Sequence, residues 1–128
     1  MIIATGIDLI EIDRIRGAMK QSPRFLNRIL TRKEQEALQR KGRRPSAAAA
    51  YFVAKEAVSK VLGTGIGKIA WQEIEVLNDE NGAPFIVLHG NALKVADERR
   101  IDHILISISH DQHTAVAYAL GQRTDQKG

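Results

Sequence analysis

Apolar and polar positions alternate from Ile2 to Ile10, with Ile3, Thr5, Ile7 and Leu9 on one side and Ala4, Gly6, Asp8 and Ile10 on the other. A period of two predicts a strand. Asp is disfavoured inside strands, so Asp8 among branched apolar neighbours requires a local reason. The period then lengthens. Asp13 to about Lys20 reads as a first helix, and Ser22-Pro23 as the start of another, with Ser as N-cap and Pro at the first helical position. Thr31-Arg32-Lys33-Glu34 is a capping box opening a helix to about Arg40. After the loop Lys41–Pro45, Ser46 opens a long Ala-rich helix expected to end near Gly63.

Beyond a glycine-rich turn, two short strands are predicted, about Trp71–Leu77 and Pro84–Leu88, with Asn81-Gly82 signalling a tight hairpin turn between them. His89-Gly90-Asn91 leads into a helix ending near Arg100. Ile104–His110 and His113–Leu120 alternate strongly and are joined by Asp111-Gln112, a second hairpin. The order of elements predicts an α+β fold, an antiparallel sheet packed on a long helix. A single domain is expected over residues 1–120, with 121–128 a polar, disordered tail.

Composition narrows the class. At 128 residues, 44% hydrophobic and 27% charged, the chain is sized and composed for one soluble domain. The absence of Cys excludes disulfides and thiolate metal sites. No apolar run approaches the roughly 20 residues of a membrane span, and Asp8 and Glu11 interrupt the N-terminal stretch, so no signal peptide is read there. A cytoplasmic protein without a membrane partner is the expectation. The net charge of +4 is unevenly spread. Residues 14–44 hold eleven Lys or Arg against Glu34 and Glu36, a local +9 that leaves −5 on the rest. Such a region is either a solvated helical face or the docking ground of an acidic partner.

On the long helix, Phe52, Glu56, Ser59, Lys60 and Gly63 recur at helical spacing and share one face. Glu56 and Lys60 can be a simple i,i+4 pair, yet Asp8 on a strand and Glu56 on a helix can also converge on a hard cation. Two carboxylates completed by substrate phosphate oxygens and water is the usual Mg²⁺ arrangement. The turn Gly63-Thr64-Gly65-Ile66-Gly67 follows a helix and lacks the Gly-Lys-Ser/Thr of a P-loop; Gly63 reads first as a C-cap. Its glycines nonetheless allow close approach of backbone N–H groups to phosphate, between Lys60 and Lys68. Ser109-His110-Asp111 is no catalytic triad, because three consecutive residues at one strand end cannot adopt triad geometry.

Taken together, Gly6-Ile7-Asp8-Leu9 with Arg14, Phe52-Val53-Ala54-Lys55-Glu56-Ala57 with Ser59-Lys60 and Gly63 to Gly67, and Ser107-Ile108-Ser109-His110 resemble, in order and spacing, the bacterial holo-acyl-carrier-protein synthases, the small 4′-phosphopantetheinyl transferases. Arg28-Ile29-Leu30-Thr31 and the Asn81-Gly82 hairpin fit the same family. The resemblance spans about residues 1–120 and implies the 4′-phosphopantetheinyl transferase-like fold. It implies transfer of the phosphopantetheine arm of coenzyme A to a serine of apo acyl carrier protein in fatty acid biosynthesis, with release of adenosine 3′,5′-bisphosphate. In that family pattern Asp8 and Glu56 hold Mg²⁺, and Glu56, directly or through a water held by the metal, accepts the serine proton. Lys60 stabilises phosphate charge, Gly63, Thr64 and Gly65 let coenzyme A lie against the backbone, and His110 contacts its phosphates or ribose. Arg14, Arg24 and Arg28, with Phe25 as apolar anchor, would dock the acidic carrier. A homotrimer with sites between subunits is implied, so that Asp8 and Glu56 of one copy face His110 of another.

Two other readings compete. A nucleic-acid module would use the +9 segment, but aromatics are 5% of the chain and no reader motif occurs. A phosphodiesterase would use the same metal with water as nucleophile.

Overall fold

The computed structural model describes residues 1–124. Its elements run β1 (Ile2–Glu11), α1 (Ile12–Gln21), α2 (Phe25–Ile29), α3 (Arg32–Arg40), α4 (Pro45–Leu62), a 3₁₀ turn (Trp71–Glu73), β2 (Ile74–Asn78), β3 (Pro84–Leu88), α5 (Gly90–Glu98), β4 (His103–His110) and β5 (Thr114–Gln122). Two antiparallel sheets form, one of order β1-β5-β4 and the hairpin β2-β3. The α+β class therefore stands, with the single expected sheet divided in two.

The long helix α4 lies across one face of the three-stranded sheet. In register, that inner face carries Ala4, Gly6, Asp8 and Ile10 from β1, Gly121, Ala119, Ala117 and Ala115 from β5, and Ile104, Ile106, Ile108 and His110 from β4. The central strand thus offers α4 a floor of four small residues. Val53, Ala54, Ala57, Val58 and Val61 of α4 are fully buried there. This stripe is the centre of a core continued by Ile12, Ile15, Leu30, Leu38 and Ile74.

The opposite sheet face is uncovered. Ile7, Leu9, Leu105 and Tyr118 on it are 44–64% exposed. Such a contiguous apolar face on a small domain marks an interaction surface.

Several local expectations shift. The Thr31–Glu34 capping box forms in full, and Gly63 ends α4 at φ 78°, a left-handed value that favours glycine. Ser22 does not cap α2. Its amide closes α1 by donating to the Ala18 carbonyl, and α2 starts only at Phe25. Pro45, not Ser46, is the first residue of α4. Trp71–Glu73 is a 3₁₀ turn rather than strand, closed by the Glu73 carboxylate accepting from Ala70 N at 2.7 Å and Asn91 N at 2.6 Å. The first hairpin loop is wider than a two-residue turn, because Asn78 pairs with Pro84 and the Asp79 carboxylate gathers Asn81 N and Ala83 N. The second loop is Asp111–His113, held the same way by Asp111. The polar tail begins later than residue 121. Gly121 and Gln122 finish β5, and Arg123 N donates to the Met1 carbonyl. Residues 125–128 of that expected tail lie outside the described residues. Among the described residues no helix is long and apolar enough to cross a membrane.

Candidate active site

The site begins with a glycine. A Cβ on Gly6 would overlap the Ala57 carbonyl oxygen and come within 2.9 Å of Lys60 Cβ. Its absence lets β1 lie directly on α4 at this level. Asp8, two residues on and on the same face, is thereby set beside the last turns of the helix. Lys60 Nζ donates to the Ile7 carbonyl at 2.7 Å and sits 3.3 Å from Asp8 Oδ1. Glu56, one turn earlier, shares this surroundings. Burial, and then the negative charge of Asp8, raise its carboxyl above the ordinary value, while the Lys60 ammonium opposes them. A local reason for Asp8 in a strand is thus found: its charge faces a lysine.

The helix face expected from spacing is only partly a site. Glu56 and Lys60 belong to it, but the ion pair Lys60 makes is with Asp8 rather than along the helix with Glu56. Ser59 is buried, its hydroxyl donating to the Glu56 carbonyl at 2.7 Å. Lys55 is fully buried as well. Its ammonium donates to Glu34 Oε1 at 2.8 Å and to the carbonyls of Trp71 and Ile74. Burial lowers the Lys55 pKa and the Glu34 carboxylate partly restores it. Phe52 stacks against Trp71, ring centroids 4.9 Å apart. Lys55, Ser59 and Phe52 therefore build the helix's seat, one face-turn away from the chemistry.

The glycine turn departs from expectation in its donors. Gly63 N bonds the Lys60 carbonyl, Thr64 N and Gly65 N bond the Ser59 carbonyl, and Gly67 N bonds the Ile69 carbonyl. These amides close α4 and the loop, so they are not available to a phosphate. What the turn offers is open space at Gly65, where an added Cβ would meet no atom within 4 Å. Arg99 braces it, donating to the Val61 carbonyl at 2.9 Å.

His110 lies elsewhere. Asp8 is on edge strand β1 and His110 on the other edge strand, β4. Within one chain the sheet separates them. His110 lines a cavity of about 370 Å³ with Lys41, Arg44, Tyr51, Asn78 and Pro84, beneath the start of α4. Lys41 and Arg44 were not singled out from sequence. The signal was present, since both stand in the cationic loop immediately before α4. Of the residues expected to dock a carrier, Arg14 on α1, Arg24 at the cap of α2 and Arg28 on α2 are exposed. Arg28 N bonds the Arg24 carbonyl, placing those two one turn apart. Phe25 is half-buried against the core, which limits how much of its ring a partner can reach.

Asp8 and Glu56 are hard oxygen donors on adjoining elements. Among the described residues no three of His, Cys, Asp and Glu converge. The pair therefore fits Mg²⁺ in its common form, held by one or two carboxylates and completed by substrate phosphates and water. It does not form an all-protein cage.

Comparison with known proteins identifies the family. Residues 4–119 match the model of the 4′-phosphopantetheinyl transferase superfamily. The chain is 49% identical over 120 residues to holo-acyl-carrier-protein synthase of Alkaliphilus metalliredigens, covering 94% of this chain and 98% of that one. It is 46% identical over 123 residues to the same enzyme of Caldanaerobacter subterraneus, covering 94% and 97%. Among solved structures, the Helicobacter pylori synthase in complex with coenzyme A superposes at a TM-score of 0.82 with 32% identity, over 93% of this chain and 100% of that one. The Bacillus anthracis synthase in complex with coenzyme A (3′,5′-ADP) superposes at 0.80 with 36% identity, over 97% and 99%.

Proposed function

Because the chain belongs to the 4′-phosphopantetheinyl transferase superfamily, we propose that the Asp8–Glu56–Lys60 cluster is the centre at which it transfers the 4′-phosphopantetheine arm of coenzyme A to a serine of apo acyl carrier protein. The chain is a holo-acyl-carrier-protein synthase in activity. The serine oxygen forms a bond to the phosphorus that carries the pantetheine arm, the bond from that phosphorus to the bridging oxygen breaks, and adenosine 3′,5′-bisphosphate leaves. The observation that carries the assignment to these residues is the close approach of β1 to α4 at Gly6, which puts Asp8, Glu56 and Lys60 in one place.

Asp8 and Glu56 would hold Mg²⁺, which when bound neutralises charge on the pyrophosphate. Glu56 takes the serine proton. Burial and the neighbouring Asp8 charge raise its pKa, which makes it a better proton acceptor than an ordinary glutamate. Lys60 adds a positive charge for the phosphates. The cavity under α4, with Lys41, Arg44 and His110, suits the anionic nucleotide half of coenzyme A. Of Gly63, Thr64 and Gly65, whose amides are all used in closing α4, Gly65 gives the substrate room, while Gly63 is packed against Arg99.

A homotrimer follows from the same reading. The carboxylates stand on one edge of the sheet and the His110 cavity on the other, so a complete site requires the β1 edge of one copy against the β4 edge of the next. Head-to-tail contacts of that kind close into a ring when the rotation permits, and a ring of three is the reading proposed. The uncovered face with Ile7, Leu9, Leu105 and Tyr118 is positioned to be buried in it. Arg14, Arg24 and Arg28 would steer and dock the acidic carrier. The same reading is of a cytoplasmic enzyme serving fatty acid synthesis.

Intact-mass spectrometry tests the proposal. Apo acyl carrier protein incubated with the chain, coenzyme A and Mg²⁺ should gain one phosphopantetheine unit, and EDTA, Asp8→Asn or Glu56→Gln should abolish the gain. Transfer that survives EDTA and both substitutions in folded protein removes these residues from the centre. Bisphosphate released without carrier would point to the hydrolytic alternative.

A further inference from the structure

The Lys60 ammonium donates its hydrogen bonds to two β1 oxygens, the Ile7 carbonyl at 2.7 Å and Asp8 Oδ1 at 3.3 Å. The Asp8 side chain is 20% exposed, so its carboxylate has room for few partners; that of Lys60 is 50% exposed, so the ammonium has open solvent to swing into. Its influence also reaches Glu56, whose pKa it opposes Asp8 in setting. One lysine thus supplies positive charge to both acids. A divalent cation at Asp8 draws on the same carboxylate and the same charge balance.

We infer that Lys60 is an internal competitor for the metal. Its ammonium holds Asp8 until a phosphate gives it a stronger partner, so metal and coenzyme A bind cooperatively. The inference rests on the assignment of Asp8 and Glu56 as metal donors. The geometry supports the exchange. Lys60 lies in the last turn of α4, where the Gly63 C-cap and the Arg99 bond to Val61 fix the backbone. Its backbone is held there, and the missing Cβ at Gly6 lets the Lys60 Cβ lie close to β1. Only the end of a flexible side chain has to turn, from the Asp8 oxygen toward the open side where the pyrophosphate would lie. An ammonium binds either partner as a compact point charge, with no geometry to rebuild. Without this lysine, two neighbouring carboxylates would stand unneutralised and would attract a divalent ion whether or not substrate was present.

The test is Mn²⁺ binding to the trimer or monomer as it exists in solution, read from the paramagnetic resonance of free Mn²⁺ and involving no turnover. Without coenzyme A, Lys60→Met and Lys60→Gln should bind Mn²⁺ about tenfold more tightly than the parent, the order expected when one positive charge is withdrawn from beside a divalent ion in a water-exposed site. Lys60→Arg, which keeps the charge, should bind no more tightly than the parent. Coenzyme A should tighten Mn²⁺ binding to the parent by a larger factor than to Lys60→Met. Two neutral variants guard against one that folds poorly, which circular dichroism would reveal. Asp8-dependent Mn²⁺ binding that both neutral variants leave unchanged or weaken overturns the inference alone. Mn²⁺ binding that Asp8→Asn leaves unchanged overturns the metal assignment and the inference with it.

Discussion

Gly6→Ala is the substitution at which stability and activity should separate most cleanly. Gly6 is not at positive φ, so the backbone can accept an L-residue, and in an open strand the change would stabilise by about 0.5–1 kcal/mol through chain entropy. Here the new methyl meets the Ala57 carbonyl, part of a buried helix backbone, and Lys60 Cβ at 2.9 Å. Neither is the far end of a flexible side chain. Overpacking of this kind costs about 1–3 kcal/mol. The sum is a net loss of up to roughly 2.5 kcal/mol, or up to about 10 °C in Tm for a chain of this size. A domain of ordinary stability survives that.

The effect on transfer should be larger than the effect on stability. Relieving the overlap moves β1 away from α4 by roughly 1 Å, and Asp8 moves with it. Misplacement of that size can cost on the order of 100-fold in rate. Urea denaturation and single-turnover phosphopantetheine transfer, on the same preparation, measure the two numbers. A Gly6→Ala variant more stable than the parent would refute the steric argument by its sign. One that is destabilised but transfers at the parental rate would refute the claim that Gly6 sets the position of Asp8.

Glu34 and Lys55 form a buried pair whose acid also accepts from Thr31 N and Val76 N, and whose base also donates to the Trp71 and Ile74 carbonyls. Either single apolar substitution should cost about 3–5 kcal/mol, and the double Glu34→Leu/Lys55→Met should not recover it, because four backbone groups lose partners; parental urea stability in the double would contradict this. Burial alone would raise the Glu75 carboxyl, but hydrogen bonds from Thr31 and His89 and the charges of His89 and Lys33 outweigh it and leave the pKa below the ordinary 4.5. A depressed acid stabilises above its unfolded pKa and loses that as pH falls, so the stability gap between the parent and Glu75→Gln should be constant near neutrality and shrink below about pH 4.5, and a gap that widens on acidification would reverse the sign. Charge reversal at Arg28 should raise the KM for carrier protein about tenfold at low salt and much less at high salt, with kcat preserved; a salt-independent effect would remove Arg28 from the docking face. Co-expressed Asp8→Asn and His110→Ala chains should together recover about a quarter of parental activity, since random assortment joins an intact carboxylate edge to an intact His110 edge at that frequency; activity equal to the mean of the two parents would place each site within one chain.

Which of these features could be read from sequence depends on how far apart their causes lie in the chain. The Thr31–Glu34 capping box and the Gly63 C-cap are decided by residues within one turn of each other, and both appear in the structure as spacing predicts. The motifs around Asp8 and Glu56 were legible as a resemblance, and the family comparison agrees with it. Ser22 misled because the signal for starting α2 is also compatible with finishing α1, and only the Ala18 carbonyl decides between them. The partner of Lys55 was not legible at all: it is Glu34, 21 residues earlier, on a helix that no local pattern relates to α4.

The orientation of β1 shows the limit most clearly. Alternation separates Ile7 and Leu9 from Gly6 and Asp8 but does not say which set is buried, and hydrophobicity favours the wrong one. Ile7 and Leu9 face out, while a glycine and an acid face the helix. The order follows from steric fit, since α4 can approach the sheet closely only over Gly6 and the alanines of β5. That approach puts Asp8 against Lys60 and leaves the more apolar face without a cover. A strand whose oily side is open and whose inner side carries a carboxylate is poorly designed for an isolated chain. It suits the proposed ring, in which neighbouring subunits would cover the oily side and the carboxylate edge would meet the His110 cavity of the next.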